Sequence, residues 1–182
     1  MRTALIWIGM WAVLFGGTPQ AQESAASGGH SYVSFVPLDT VTVAQGHKAP
    51  VTFTFRVEKS YHINSNKPLT EELIPTQLHF SLPGEIAIGK VEYPAGILTS
   101  FPFDVTQKLS VYSGEVTIHA MVLAPQEAQA GPLTVHGELR YQACDNNACY
   151  PPKKLPISFN IKISASSVRK RARGNAQSPH IH

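Results

Sequence analysis

The chain has 182 residues, with 15 Lys and Arg against 12 Asp and Glu, a net charge of +3, and two cysteines. That length supports one hydrophobic core without a metal or a web of disulfides. The positive charge does not indicate a nucleic-acid partner. Arg169, Lys170, Arg171 and Arg173 cluster near the C-terminus and Arg2 opens the chain, and the remainder has fewer bases than acids and offers no basic face to a phosphate backbone.

Taken in chain order, Arg2 precedes an apolar run at 4–15 broken only by Gly9, and small and polar residues follow from Gly16. That order is expected of a secretory signal peptide. The run is shorter than the about 20 apolar residues a spanning helix needs, and no later segment is long and apolar enough. We expect residues 1–21 to be the signal, with cleavage after Ala21 or, since Pro19 is a poor neighbour, after Ala26; a retained anchor is the alternative. Residues 22–31 are small and polar, as in a flexible leader, and the mature chain is expected to be soluble or tethered, outside the cytoplasm.

From Tyr32 the pattern becomes that of strands. Val51, Phe53, Phe55 and Val57 alternate with polar residues, and the same period of two recurs in Val116, Ile118, Ala120 and Val122, in Leu133, Val135, Leu139 and Tyr141, and in Leu155, Ile157, Phe159, Ile161 and Ile163. Shorter strands are expected at 32–38, 41–44, 78–82, 86–93 and 109–112. Turn signals at Gln45-Gly46, Pro83-Gly84, Ser113-Gly114, Gly131-Pro132 and Pro151-Pro152 separate them. The expectation is an all-β, immunoglobulin-like antiparallel β-sandwich over residues 32–164, with long connections at 64–76 and 98–107 and a disordered basic tail at 165–182.

Cys144 and Cys149 fall between two of the clearest strands, which places their sulfurs across the end of a hairpin. In an exported protein a local disulfide is the expected resting state. It can be a staple, contributing only about 2 kcal/mol for so short a loop, or it can exchange with a partner's thiols. The residue types alone do not separate these.

The stretch Tyr141-Gln142-Ala143-Cys144, closed by Cys149-Tyr150-Pro151-Pro152, resembles the signature of the N-terminal periplasmic domain of the thiol:disulfide interchange protein DsbD. The likeness extends through Tyr61-His62-Ile63-Asn64, Tyr93-Pro94 and Val111-Tyr112-Ser113-Gly114-Glu115-Val116, in family order. It implies an immunoglobulin-like fold with a redox disulfide at one end. It also implies an oxidoreductase function, in which electrons pass from a thioredoxin-like donor to oxidised periplasmic proteins. Carried over by position, Cys144 and Cys149 are the redox pair, and Cys149 forms the mixed disulfide. The segment 99–104 corresponds to a loop whose aromatic residue covers the disulfide, which singles out Phe101 and Phe103. The cysteine loop is a residue shorter than in the best-known members, and the covering segment contains Pro102 and few acids. The membrane electron carrier and the C-terminal thioredoxin-like domain of the full-length protein have no counterpart in this chain, so a separate thioredoxin-like or membrane donor is expected. No bound cofactor is called for, because the cysteine pair itself carries two electrons. The alternative is a non-catalytic immunoglobulin-like module with an inert disulfide.

His62, in the matched segment with Asn64, could serve a nearby thiol as a proton shuttle; the simpler reading, an exposed strand-end histidine, is preferred. Tyr141 and Tyr150 flank the pair and suit either the site or the core. A metal is not expected. Cys-x4-Cys is not a zinc spacing, His30, His47, His79, His119 and His136 are scattered, and His180 and His182 lie in the tail. Glu71 and Glu72 are adjacent in a loop and suggest no hydrolase geometry.

Overall fold

Alternating apolar residues become paired strands along most of the chain. In the computed structural model, which describes residues 30–84 and 86–166, every regular element is a strand. The expected signal at 1–21, positions 22–29 of the leader and positions 167–182 of the tail lie outside the described residues. The strands are β1 (Val33–Val36), β2 (Val41–Ala44), β3 (Lys48–Val57), β4 (His62–Asn64), β5 (Gln77–Ser81), β6 (Ala87–Ile88), β7 (Ile97–Phe101), β8 (Asp104–Tyr112), β9 (Glu115–Leu123), β10 (Gly131–Tyr141), β11 (Ala143–Cys144) and β12 (Lys153–Ser164).

Three sheets result, in the orders β1-β3-β9-β6, β2-β12-β10-β5 and β11-β4-β8-β7. In the first, Phe53 of β3 stands opposite Ile118 of β9; in the second, Val135 of β10 stands opposite Phe159 of β12. Opposed residues share a face, so each sheet presents one apolar side, and these two sides meet. Phe53 lies edge-on to Phe159, ring centroids 5.1 Å apart, and 5.3 Å from Phe80 of β5. Phe53, Phe55, Ile118, Val135, Leu139 and Ile161 are fully buried between the layers. The fold is an all-β, immunoglobulin-like sandwich.

Three expectations need correction. The sandwich is not wholly antiparallel, because β2 runs parallel to β12, with Val41 opposite Ile161. A parallel pair needs a long crossover, and here nearly the whole domain lies between the two strands. The connection expected at 98–107 is instead the β7–β8 hairpin, which turns at Pro102 and Phe103. The strand expected at 86–93 contracts to the two residues of β6, after which the Gly89 N–H donates to the Met121 carbonyl of β9 and Glu92 exchanges paired hydrogen bonds with His119.

The predicted turn at Gln45-Gly46 joins β2 to β3 across the layers. Gly46 has φ +74°, a backbone conformation that favours glycine. In the second sheet Gly137 stands between Phe80 and Ile157, where an added Cβ would lie 2.6 Å from the His79 carbonyl oxygen. A neighbour that is backbone cannot swing aside. Gly137→Ala is therefore expected to force β5 away from β10 and to lower stability by about 1–3 kcal/mol, read by urea unfolding; an unchanged midpoint would contradict this close approach.

The third sheet has its own small core, formed by Phe101, Leu109 and Val111 with Leu73 packed against them. It carries β11, and with it the first cysteine.

Candidate functional site

The β10–β12 ladder closes at Tyr141 opposite Lys153. Between them the chain leaves the second sheet, and β11 joins the third, setting Ala143 opposite Ile63 and Cys144 opposite His62. The cysteines therefore face each other across the end of the hairpin, as the strand pattern predicts, on a stretch that has left the second sheet for the third. Residues 145–148 turn the chain back, so that Cys149 faces Cys144 as an antiparallel bridge with Cα atoms 3.9 Å apart, and the two sulfurs are bonded. Backbone bonds from the Tyr150 N–H to the Ala143 carbonyl (2.8 Å) and from the Asp145 N–H to the Ala148 carbonyl (3.0 Å) frame the pair.

Asp145 shapes the turn. Its Oδ1 accepts the N–H groups of Asn147 (2.7 Å) and Ala148 (2.9 Å), the local bonding that makes Asp a turn former, and its Oδ2 accepts the Tyr150 hydroxyl at 2.7 Å. The Tyr150 hydroxyl, and then the two N–H groups, hold the Asp145 carboxyl down to about 2. The same bond pushes Tyr150 up to about 12. Tyr150 stacks on Tyr32 at 5.0 Å, Tyr32 contacts Tyr61 at 4.7 Å, and the Lys153 ammonium lies 5.2 Å from the Tyr32 ring centre. The far side of the cysteine loop is thus anchored on aromatic rings.

The near side is held by amides. Gln142 Oε1 accepts Asn64 Nδ2 (3.0 Å) and the Ile74 N–H (3.1 Å), while Gln142 Nε2 donates to the Tyr150 carbonyl (3.2 Å). Asn64 is fully buried and also donates to the Ile74 carbonyl at 3.1 Å. Gln142 and Asn64 therefore join β4, the 64–76 connection and the cysteine loop into one body.

The two sulfur-bearing residues differ in access. Cys144 is 0% exposed, whereas Cys149 is partly exposed. Beside Cys144, His62 is buried at 4% exposure, which corrects the expectation of an exposed strand-end histidine. Its ring lies flat on Phe101, centroids 3.8 Å apart and planes within 14°, and Phe101 stacks in turn on Phe103 at 5.7 Å. Phe101 is buried and Phe103 is 39% exposed, so the stack runs from the surface inward to the residue paired with Cys144. Burial holds the His62 imidazole down to about 4, with the Asp145 charge opposing, and its Nε2 is buried without a hydrogen-bond partner among the described residues.

Of the residues singled out in the sequence, Cys144, Cys149, His62, Asn64, Phe101, Phe103 and Tyr150 belong to this end of the molecule. Tyr141 is 1% exposed within the sandwich core. Gln142, Asp145, Tyr32 and Tyr61 were not anticipated as parts of the site. For Asp145 a signal existed, since Asp-Asn-Asn between two cysteines is turn chemistry, and Gln142 and Tyr61 stand within the matched segments; Tyr32, distant in sequence, offered none.

The family described as thiol:disulfide interchange protein DsbD, N-terminal, matches residues 33–160. Among solved structures, the reduced N-terminal domain of DsbD from Neisseria meningitidis is similar at 17% identity, with a TM-score of 0.35, over 59% of this chain and 74% of that one. The N-terminal periplasmic domain of ScsB from Proteus mirabilis is similar at 11% identity, with a TM-score of 0.42, over 71% of this chain and 44% of that one. No curated protein sequence matches.

Proposed function

The chain belongs to the family of the DsbD N-terminal domain, whose general chemistry is thiol-disulfide interchange, and from that premise we propose that Cys144 and Cys149 form a redox pair carrying electrons from a thioredoxin-like or membrane-bound donor to oxidised periplasmic proteins. The observation that carries this reading is the asymmetric disulfide itself, with Cys149 partly exposed and Cys144 buried at one end of the sandwich. A donor thiolate attacks Cys149 Sγ in line, the Cys144–Cys149 bond breaks, and Cys144 leaves with the electron pair. The donor's second thiolate then attacks its own sulfur in the mixed disulfide, releasing Cys149. The donor is now oxidised and the pair holds two electrons and, after protonation, two thiols. Repetition in the opposite sense on a target disulfide returns the pair to its starting state. Residues 32–164 are the interchange domain in this reading, the periplasm is its compartment, and no bound cofactor takes part. Among the described residues, no helix is long and apolar enough to cross a membrane.

Equilibration of the purified protein with glutathione or dithiothreitol, followed by thiol trapping, tests the proposal. The expected potential lies above about −300 mV, where exchange-active disulfides fall. A value far below that would mark the bond as a structural staple.

A further inference from the structure

His62 has two properties that the exchange steps above leave unused. Its Nε2 is buried with no hydrogen-bond partner among the described residues while the disulfide is closed, an unfavourable condition for a buried polar group. It is also directly opposite Cys144 in the β4–β11 pair. Residues so placed share a face with Cβ atoms about 4.5–5.5 Å apart, a gap an imidazole can span. The ring is held in that position by the Phe101 face against it. Cys144 is fully buried, so whenever the disulfide opens, its sulfur must take or lose a proton without ready access to water.

We propose that His62 is the proton-transfer partner of Cys144, its unpaired Nε2 being the atom that meets the sulfur once the disulfide is open. In the oxidising half of the cycle Nε2 accepts the Cys144 thiol proton. The thiolate then attacks Cys149 Sγ in the mixed disulfide, the bond to the target breaks, and the target leaves as a thiolate carrying the two electrons. In the reducing half the Cys144 thiolate leaves Cys149 and takes the proton back. Burial disfavours the imidazolium while the disulfide is closed and the Asp145 carboxylate in the following loop only partly opposes it; once the disulfide is open, the Cys144 thiolate on β11, the titratable group opposite the imidazole, adds the negative charge that favours the protonated ring. On β8, Tyr112 has its hydroxyl engaged by Asn66 and Pro94, and β7 contributes the uncharged ring of Phe101.

This inference rests on the exchange reading, and one experiment separates the two. Reduced protein mixed with dithiodipyridine should release pyridinethione in two phases: a bimolecular phase as Cys149 is modified, and a unimolecular one as Cys144 expels the second pyridinethione and closes the disulfide. His62→Phe keeps a ring against Phe101, and His62→Gln keeps a polar side chain that does not titrate. In both, the second phase is expected to slow about a hundredfold near pH 7, the low end of what a positioned base contributes. The deficit should vanish above about pH 9, where the thiol, of ordinary pKa about 8.5, ionises unaided. A purely structural role would not produce that dependence. Disulfide closure at the wild-type rate and pH profile in either variant would overturn the role of His62 and leave the exchange reading standing. Wild-type protein that remains doubly modified, with no disulfide closing, would overturn both.

Discussion

Cys144→Ser protein is expected to stop at a mixed disulfide, and Cys149→Ser protein to react far more slowly. The difference follows from access. Exchange needs in-line approach to a sulfur, and Cys149 is partly exposed, while Cys144 is 0% exposed and stands opposite His62, whose ring packs on Phe101. With serine at 144, the thiol at 149 can still be attacked or attack, but no internal thiol remains to release the adduct. With serine at 149, the remaining thiol is the buried one. Intact-mass measurement after exposure to glutathione disulfide should show one glutathione adduct on Cys144→Ser, stable until an added dithiol removes it. Cys149→Ser should be modified slower by about a hundredfold, in proportion to the rare opening of a buried site. Equal rates for the two variants would show that burial does not select the attacked sulfur, and the order of steps would have to be abandoned.

The frame of this molecule was readable because its long strands are half-buried. β3, β9 and β12 alternate buried and exposed residues nearly without interruption, and period-two alternation is the form a one-faced sheet imposes on a sequence. The site end obeys no such pattern. β4 is buried at all three residues, and β11 is buried at both of its two, so neither alternates. β7 fails for the opposite reason. Ile97 and Leu98 are 63% and 56% exposed and only Phe101, at its end, is buried, so the strand resembles a loop in sequence. The disulfide could be anticipated from compartment and spacing, yet the strand that carries Cys144 to His62 could not, because its two residues pair with a segment some eighty positions earlier. The burial of His62 was hidden for the same reason: the ring against it, Phe101, comes from β7.

That burial has a consequence for acid stability. His62 titrates at about 4 in the folded protein, against 6.5 for an unperturbed histidine, and removal from water is the main cause. Between those two pH values the unfolded chain binds a proton that the folded chain refuses, so unfolding gains from each step downward in pH. The stabilisation is complete above the unfolded value, falls as pH drops from about 6.5 toward 4, and falls no further on this account once the folded imidazole is itself protonated. The full shift corresponds to about 3 kcal/mol, a large part of the about 5–15 kcal/mol that typical domains have. Asp145 does not blur the window, because its carboxyl is held down to about 2; the stability it contributes is lost only below the ordinary carboxylate range, as pH falls toward that value. Urea unfolding of the oxidised protein at pH 7 and pH 4 should therefore show a loss that is smaller in His62→Phe than in wild type by about 3 kcal/mol, with the variant keeping an aromatic ring against Phe101. Parallel losses in the two proteins would mean that the imidazole reaches water in the folded state, and the closed stack of Phe103, Phe101 and His62 would not describe the protein in solution.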